Sequence, residues 1–261
     1  KDLNLWVNPG DRTPNEIEVW YDGKDRMTAT VHHPKTGLRL SISPDNKKQI
    51  WFNGEVIGRM YHRTNEPNNH RNHVDIFLFP NAPSGKWELT IKANKVRQTG
   101  EFHAWIERDG GIRNQSKFFS KDADPSSTTG TICNGHESIV VGAYDSRISS
   151  FIKPAPFSSM GPTLDGRIKP NLVAPGVSIL AARSSPRPYK RSTYQITRMS
   201  GTSMAAPHVA GAVAALRQTT GPLHARKAKA IILAAAQRVR GSSQQLGQGL
   251  LDVGRLFGVR G

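Results

Sequence analysis

The residues best suited to chemistry lie in the run Met199-Ser200-Gly201-Thr202-Ser203-Met204-Ala205-Ala206-Pro207-His208-Val209-Ala210-Gly211. A turn of small residues delivers Ser203 into a stretch, Met204 to Leu216, that is apolar or small on nearly every side. A helix with no polar face is normally buried inside a larger domain. Ser203 then stands where that helix begins, beside unpartnered backbone N–H groups and the positive end of the dipole. A hydroxyl nucleophile and half of an oxyanion hole both profit from that place, because negative charge develops there. The plainer alternative is a serine that merely caps a core helix.

The wider pattern decides between the two. Gly-Thr-Ser-Met-Ala-Ala-Pro-His-Val-Ala-Gly resembles the nucleophile segment of the subtilisin-like serine peptidases, or subtilases. Phe157-Ser158-Ser159-Met160-Gly161-Pro162-Thr163, followed by Asp165 to Gly176, is similar to that family's penultimate strand and turn. Ile139 to Asp145 resembles the strand before it, and Gly247 to Val253 the closing segment. The four blocks stand in family order over about residues 128 to 256. The resemblance implies a serine endopeptidase acting on protein or peptide. In it Ser203 Oγ attacks a peptide carbonyl, a histidine takes its proton, an aspartate orients that histidine, and N–H donors hold the oxyanion. It makes the Ser203 N–H one donor and the Thr202 hydroxyl its support. By the same analogy Gly142 and Gly201 border the substrate cleft, and His208 is structural rather than the base.

Family peptidases take their aspartate and histidine from upstream of the serine. This sequence has no Asp-Ser-Gly or Asp-Thr-Gly, no His-Gly-Thr, and no Gly-Asn to supply a second oxyanion donor. Gly135-His136-Glu137 precedes a strand pattern instead of opening a helix, so it is no substitute. The chain therefore reads as the C-terminal part of a longer subtilase. Its required partner is an upstream polypeptide carrying the aspartate, the histidine and the oxyanion asparagine. Removing triad partners lowers kcat by as much as ~10⁶, so the chain alone is expected to be inactive. A second reading is a catalytically inactive pseudoprotease or protein-binding module that uses its N-terminal part. An α/β-hydrolase elbow, Gly-x-Ser-x-Gly, fails because Ala205 fills the fifth position and no histidine follows Asp252.

The net charge of +16 is uneven. Residues 1–127 hold 19 Lys/Arg and 16 Asp/Glu, residues 128–261 hold 17 and 4. The basic residues, from Arg183, Arg187, Lys190 and Arg191 to Arg226, Lys227, Lys229, Arg238 and Arg240, are dispersed and not interleaved with stacking aromatics, which disfavours nucleic acid. A binder of anionic polymers is a third reading, and its affinity would fall steeply with salt. No run reaches the length of a membrane span. Cys133 is the only cysteine, and its apolar neighbours suggest a buried, inert thiol. No cofactor is identifiable. Calcium is implied by family resemblance only, without a carboxylate cluster to hold it. An extracellular or periplasmic location likewise rests on the resemblance.

These motifs need elements to position them. Residues 1–125 read as an all-β sandwich of jelly-roll type with eight or nine short strands, and 126–261 as α/β with a parallel sheet. Asn53-Gly54 marks a two-residue hairpin, and Trp87, Leu89 and Ile91 alternate with Glu88, Thr90 and Lys92. The Trp87 and Gly100-to-Trp105 segments resemble the sandwich that some multidomain subtilases insert ahead of their serine. Residues 109 to 127 read as its exit linker, and His62, His70 and His73, like His32 and His33, as solvated histidines. In the second half, Ser138 to Ala143 reads as a buried parallel strand. Ala225 to Val239 reads as an amphipathic helix with Pro222 in its first turn and Lys227, Lys229 and Arg238 outside.

Overall fold

The computed structural model describes residues 1–107, 114–148, 152–184 and 196–259. They form two units, Lys1–Asp124 and Pro125–Gly261. In the first, apolar residues recur at alternate positions, which suits strands with one face buried and the other wet. Ten strands follow: β1 (Asp2–Val7), β2 (Asn15–Tyr21), β3 (Arg26–His33), β4 (Leu38–Ile42), β5 (Asn46–Phe52), β6 (Glu55–Arg63), β7 (Asn72–Leu78), β8 (Gly85–Lys95), β9 (Phe102–Ile106) and β10 (Lys117–Phe118). They pair into two five-stranded sheets, ordered β10-β1-β8-β3-β4 and β5-β6-β7-β2-β9. Every pairing is antiparallel. Leu5, Val19, Ile76 and Leu89 are among the residues of one shared core. Asn53 and Gly54 both take positive φ, 48° and 80°, between Phe52 and Glu55, as the hairpin signal requires.

Two expectations for this unit need correcting. The linker expected over 109–127 is partly sandwich: Lys117 and Phe118 pair with β1, Phe118 packs on the core, and Asp122 accepts from the Asn4 backbone at 3.0 Å. Gly110 and Gly111 of that stretch lie outside the described residues. The histidines are mostly not solvated. His62 is buried on β6 with Nε2 2.6 Å from the Tyr21 hydroxyl, and His33 is buried with its ring between Thr36 and Ser84. His73 is buried on β7, and only His70 occupies an exposed loop position. The Asn- and Arg-rich composition pointed to a loop, but the strand pattern runs into it from both sides.

In Pro125–Gly261 the described elements are mixed α/β. β11 (Val141–Tyr144) lies parallel to β12 (Leu172–Pro175), and β13 (Ile179–Ala182) forms an antiparallel pair with β14 (Ile196–Met199). The helices are α1 (Thr202–Thr220), α2 (Ala225–Ala235), α3 (Ser243–Leu246) and α4 (Val253–Leu256). Ala205, Val209 and Ala212 of α1 pack with Ala143, Leu172 and Ala174 of the parallel pair and with Ile232 of α2. That stripe, continued by Leu216, is the buried part of α1, whereas Ala206, Pro207, Ala210, Gly211 and Ala214 are exposed, so the helix is not enclosed on all sides by the described residues. Among those residues no helix is long and apolar enough to cross a membrane.

Local competition sets the remaining differences. α2 stops at Ala235 because Gln237 leaves the helical ladder to exchange two 2.9 Å hydrogen bonds with Leu250. His224, not Pro222, begins it, its side chain accepting from the Arg226 N–H. Lys229 is not a free surface cation, since Nζ donates to His136 O and Ser138 O at 2.8 and 2.9 Å. β11 starts at Val141 rather than Ser138, and Cys133 is half-buried in a short 3₁₀ turn. Arg187, Lys190 and Arg191 lie outside the described residues.

One buried charge offers a test of the sandwich. Asp25 is fully buried, which alone would raise its pKa, but backbone N–H groups of Arg97, Gln98 and Gly100 at 2.7–2.9 Å outweigh burial and hold it below the usual carboxylate range. A depressed folded-state pKa contributes stability that is present above about pH 4 and is lost as pH falls through the folded value. Asp25→Asn is expected to cost on the order of 2–3 kcal/mol at pH 7, as loss of hydrogen bonds to a charge does. In urea titrations from pH 7 to 3, the wild-type minus variant difference should shrink toward acid.

Candidate active site

Two glycines and a short turn bring the chain to Ser203. β11 and β12 are in register from Val141↔Leu172 to Tyr144↔Pro175, and Gly176 follows at once. Its N–H donates to Tyr144 O at 3.1 Å, and its carbonyl accepts from the Gly201 N–H at 2.8 Å. The end of the parallel pair therefore holds the residue that opens α1. A side chain at 176 would not fit, since its Cβ would lie 2.5 Å from Ala143 Cβ and 3.0 Å from Gly201 O. Beside it Ser178 N donates to Ser200 Oγ at 2.8 Å. Ser158 braces the other side of the pair, its Oγ accepting from Ala143 N at 3.0 Å.

Gly201 is the N-cap of α1, without a side-chain cap, and Ser203 is the second helical residue. The simple capping alternative therefore does not describe it. Ser203 is exposed, and among the described residues its side chain has no hydrogen-bond partner. Met204 N donates to Gly201 O at 3.0 Å, so the N–H groups of Thr202 and Ser203 lie ahead of the first bond of the helix. Pro207 sits inside α1 and has no N–H, which leaves the Ser203 carbonyl without its usual donor four residues on. Thr202 is half-buried at the same end. Gly201 adjoins Ser203, whereas Gly142 is buried in β11, and a Cβ there would meet Pro170 Cγ at 2.8 Å and Val173 Cγ1 at 3.0 Å.

The partners of a serine nucleophile are not supplied from the described residues around it. The second unit has three histidines, His136, His208 and His224. His208 Nδ1 donates to Met204 O at 2.9 Å, one turn back along α1, and His224 Nδ1 accepts from Arg226 N. The four carboxylates of residues 128–261, Glu137, Asp145, Asp165 and Asp252, each face an arginine, namely Arg226, Arg147, Arg167 and Arg255. Hydrogen bonds from Arg147 hold Asp145 at about 2, and those from Arg167 and Thr163 hold Asp165 at about 2. None of the four is hydrogen-bonded to a histidine among the described residues, so none does the work of orienting an imidazole.

Sequence reasoning named Ser203, Thr202 and Gly201 and placed a turn at Pro175-Gly176, but not the clamp that this turn forms on Gly201. Pro-Gly marks a turn without saying what the turn holds.

A model of the subtilase family matches residues 113–249. Pyrolysin from Pyrococcus furiosus is 51% identical over 65 residues, 25% of this chain and 4% of that protein. The minor extracellular protease Vpr from Bacillus subtilis is 38% identical over 96 residues, 35% of this chain and 11% of that protein. The chain thus spans only a small part of these relatives' lengths. In fold, the chain matches the structure of the Clostridium perfringens CspB protease with a TM-score of 0.78 and 22% identity, over 99% of this chain and 54% of that one. With the nucleophile block, the strand pair behind it and the turn between them all inside the matched region, the chain belongs to the subtilase family.

Proposed function

We propose that Pro125–Gly261 provides the nucleophile half of a subtilisin-like serine endopeptidase site. Ser203 Oγ forms the acyl-enzyme with a peptide substrate, the Ser203 N–H donates to the oxyanion, and the Thr202 hydroxyl supports it. Gly201 borders the substrate. Gly142 contributes through the backbone of β11 alone, because the space on its Cβ side is taken by Pro170 and Val173. The observation that carries the reading is the exposed Ser203 hydroxyl at the head of α1, beside two helix-free N–H groups and clamped through Gly201 to the parallel pair.

Because His208, His224 and the four carboxylates of this unit are committed elsewhere and His136 makes no hydrogen bond to a carboxylate among the described residues, the reading requires an aspartate, a histidine and an oxyanion asparagine from an upstream polypeptide. Residues 1–261 alone are then inactive. The extracellular assignment in the name of the Bacillus subtilis relative supports a location outside the cytoplasm.

A fluorophosphonate probe tests the arrangement. Residues 1–261 alone should label slowly. Addition of a folded polypeptide carrying the aspartate, histidine and asparagine should raise labelling and peptide hydrolysis by at least ~10³-fold. Ser203→Ala should abolish both. A reconstituted pair that hydrolyses peptide equally well with Ser203→Ala would refute the assignment. Gly176→Ala tests the clamp: overpacking against Ala143 should destabilise this unit by about 1–3 kcal/mol in chemical denaturation. It should also lower hydrolysis in the reconstituted pair.

A further inference from the structure

The chain enters Ser203 through two residues that belong to no regular element. β14 ends at Met199, paired with Ile179, and α1 begins at Thr202, so Ser200 and Gly201 bridge ladder and helix. Restraint from the helix side is weakened as well, because Pro207 offers the Ser203 carbonyl no N–H. Among the described residues two hydrogen bonds tie this bridge back to residues 176–178, the turn between β12 and β13. Gly201 N donates to Gly176 O at 2.8 Å, and Ser178 N donates to Ser200 Oγ at 2.8 Å. The first is made by backbone alone. The second depends on the identity of a side chain.

That turn is not relaxed. Ser178 has a φ of 56°, in the left-handed region where a Cβ crowds the backbone and glycine is the usual occupant. Other residues persist there only when their surroundings over-determine them, and such positions gather at functional sites. Here both backbone groups of Ser178 are held by side chains from the segment that leads to the nucleophile. Ser200 takes its N–H, and Arg198 Nη1 donates to its carbonyl at 2.8 Å. Arg198 and Ser200 are both exposed, so neither bond is a by-product of burying a side chain.

Resting on the assignment of Ser203 as nucleophile, we propose that Arg198 and Ser200 are positioning residues for it. They lock Ser178 in its turn, and through that lock they fix where the Thr202 and Ser203 N–H groups and the Ser203 hydroxyl point. Ser200 has the larger share, because its own backbone carries the restraint directly into Gly201. Arg198 acts one step further back, on the shape of the turn that Ser200 grips. Misplacement of a reacting group by about 1 Å costs on the order of 10²-fold in rate. Loss of the lock therefore reads out in turnover rather than in substrate binding.

Backbone ¹⁵N relaxation on the 261-residue chain tests the lock without any catalysis. In Ser200→Ala the order parameters of Gly201, Thr202 and Ser203 should fall from about 0.85 toward about 0.6, while β11 and α2 stay rigid. Ser200→Thr, which keeps the acceptor oxygen, should restore them, and Arg198→Met should produce a smaller drop. In the reconstituted pair, Ser200→Ala should lower kcat by about tenfold or more with KM within about twofold, and Ser200→Thr should recover most of the rate. Unchanged order parameters at 201–203 in Ser200→Ala would overturn the proposal. So would loosening spread evenly over the unit, or a Ser200→Thr variant no better than the alanine one. A kcat unaltered by Ser200→Ala in an active pair would overturn it too. A wild-type pair without hydrolysis would instead count against the Ser203 assignment, and the relaxation result would still decide the lock.

Discussion

Everything around Ser203 depends on how closely α1 can approach the parallel pair. The buried part of the contact is made by Ala143, Ala174, Ala205 and Ala212 with Val209 and Leu172, and half-buried Val141 and Val213 pack at its edge. Such a seam buries little apolar area per residue, so its stabilisation comes from proximity: close-packed atoms gain dispersion that a gap of less than an ångström forfeits. Gly176 belongs to the same constraint. Its missing side chain is what lets the turn lie on Ala143 while its carbonyl reaches the Gly201 N–H. A larger residue at any of these positions would lift the helix start away from the strands.

The loop before β11 is fixed by charge rather than by apolar area. Lys169 is buried, and Nζ donates to Gly135 O at 3.0 Å. Burial, together with the nearby Lys229 and Arg167, holds its pKa below the usual lysine range. Lys229 binds the next carbonyls along, and Arg226 pairs with Glu137. Cations at the ends of long side chains thus satisfy backbone carbonyls that have no strand partner, a role charge-assisted hydrogen bonds fill well. Part of the strongly basic balance of this half is explained by such internal duties.

Legibility followed periodicity. Where one face is buried and the other wet, as at Trp87, Leu89 and Ile91, alternation gave both the strand and its orientation. The Asn53-Gly54 turn was equally plain, because few dipeptides accept positive φ twice in succession. The serine segment was readable from its motif, but its surroundings were not. Alanine and glycine are apolar by composition whether they face a core or water, so the exposed side of α1 carried no signal. Histidines in polar company misled in the other direction. His62 and His73 are buried because the strands on either side of them pair, a non-local fact that neighbouring residue types cannot report.

Pro207 gives the head of α1 a mechanical independence. A proline in a helix interior removes one ladder bond and its ring crowds the preceding turn, at a cost of about 3 kcal/mol. Residues 202–206 are therefore coupled less tightly to the fourteen residues beyond them, and keep their place through the buried Ala205 and the Gly201 clamp. With one ladder bond fewer, the first turn is the part of α1 expected to open locally at lower free energy than the rest of the helix.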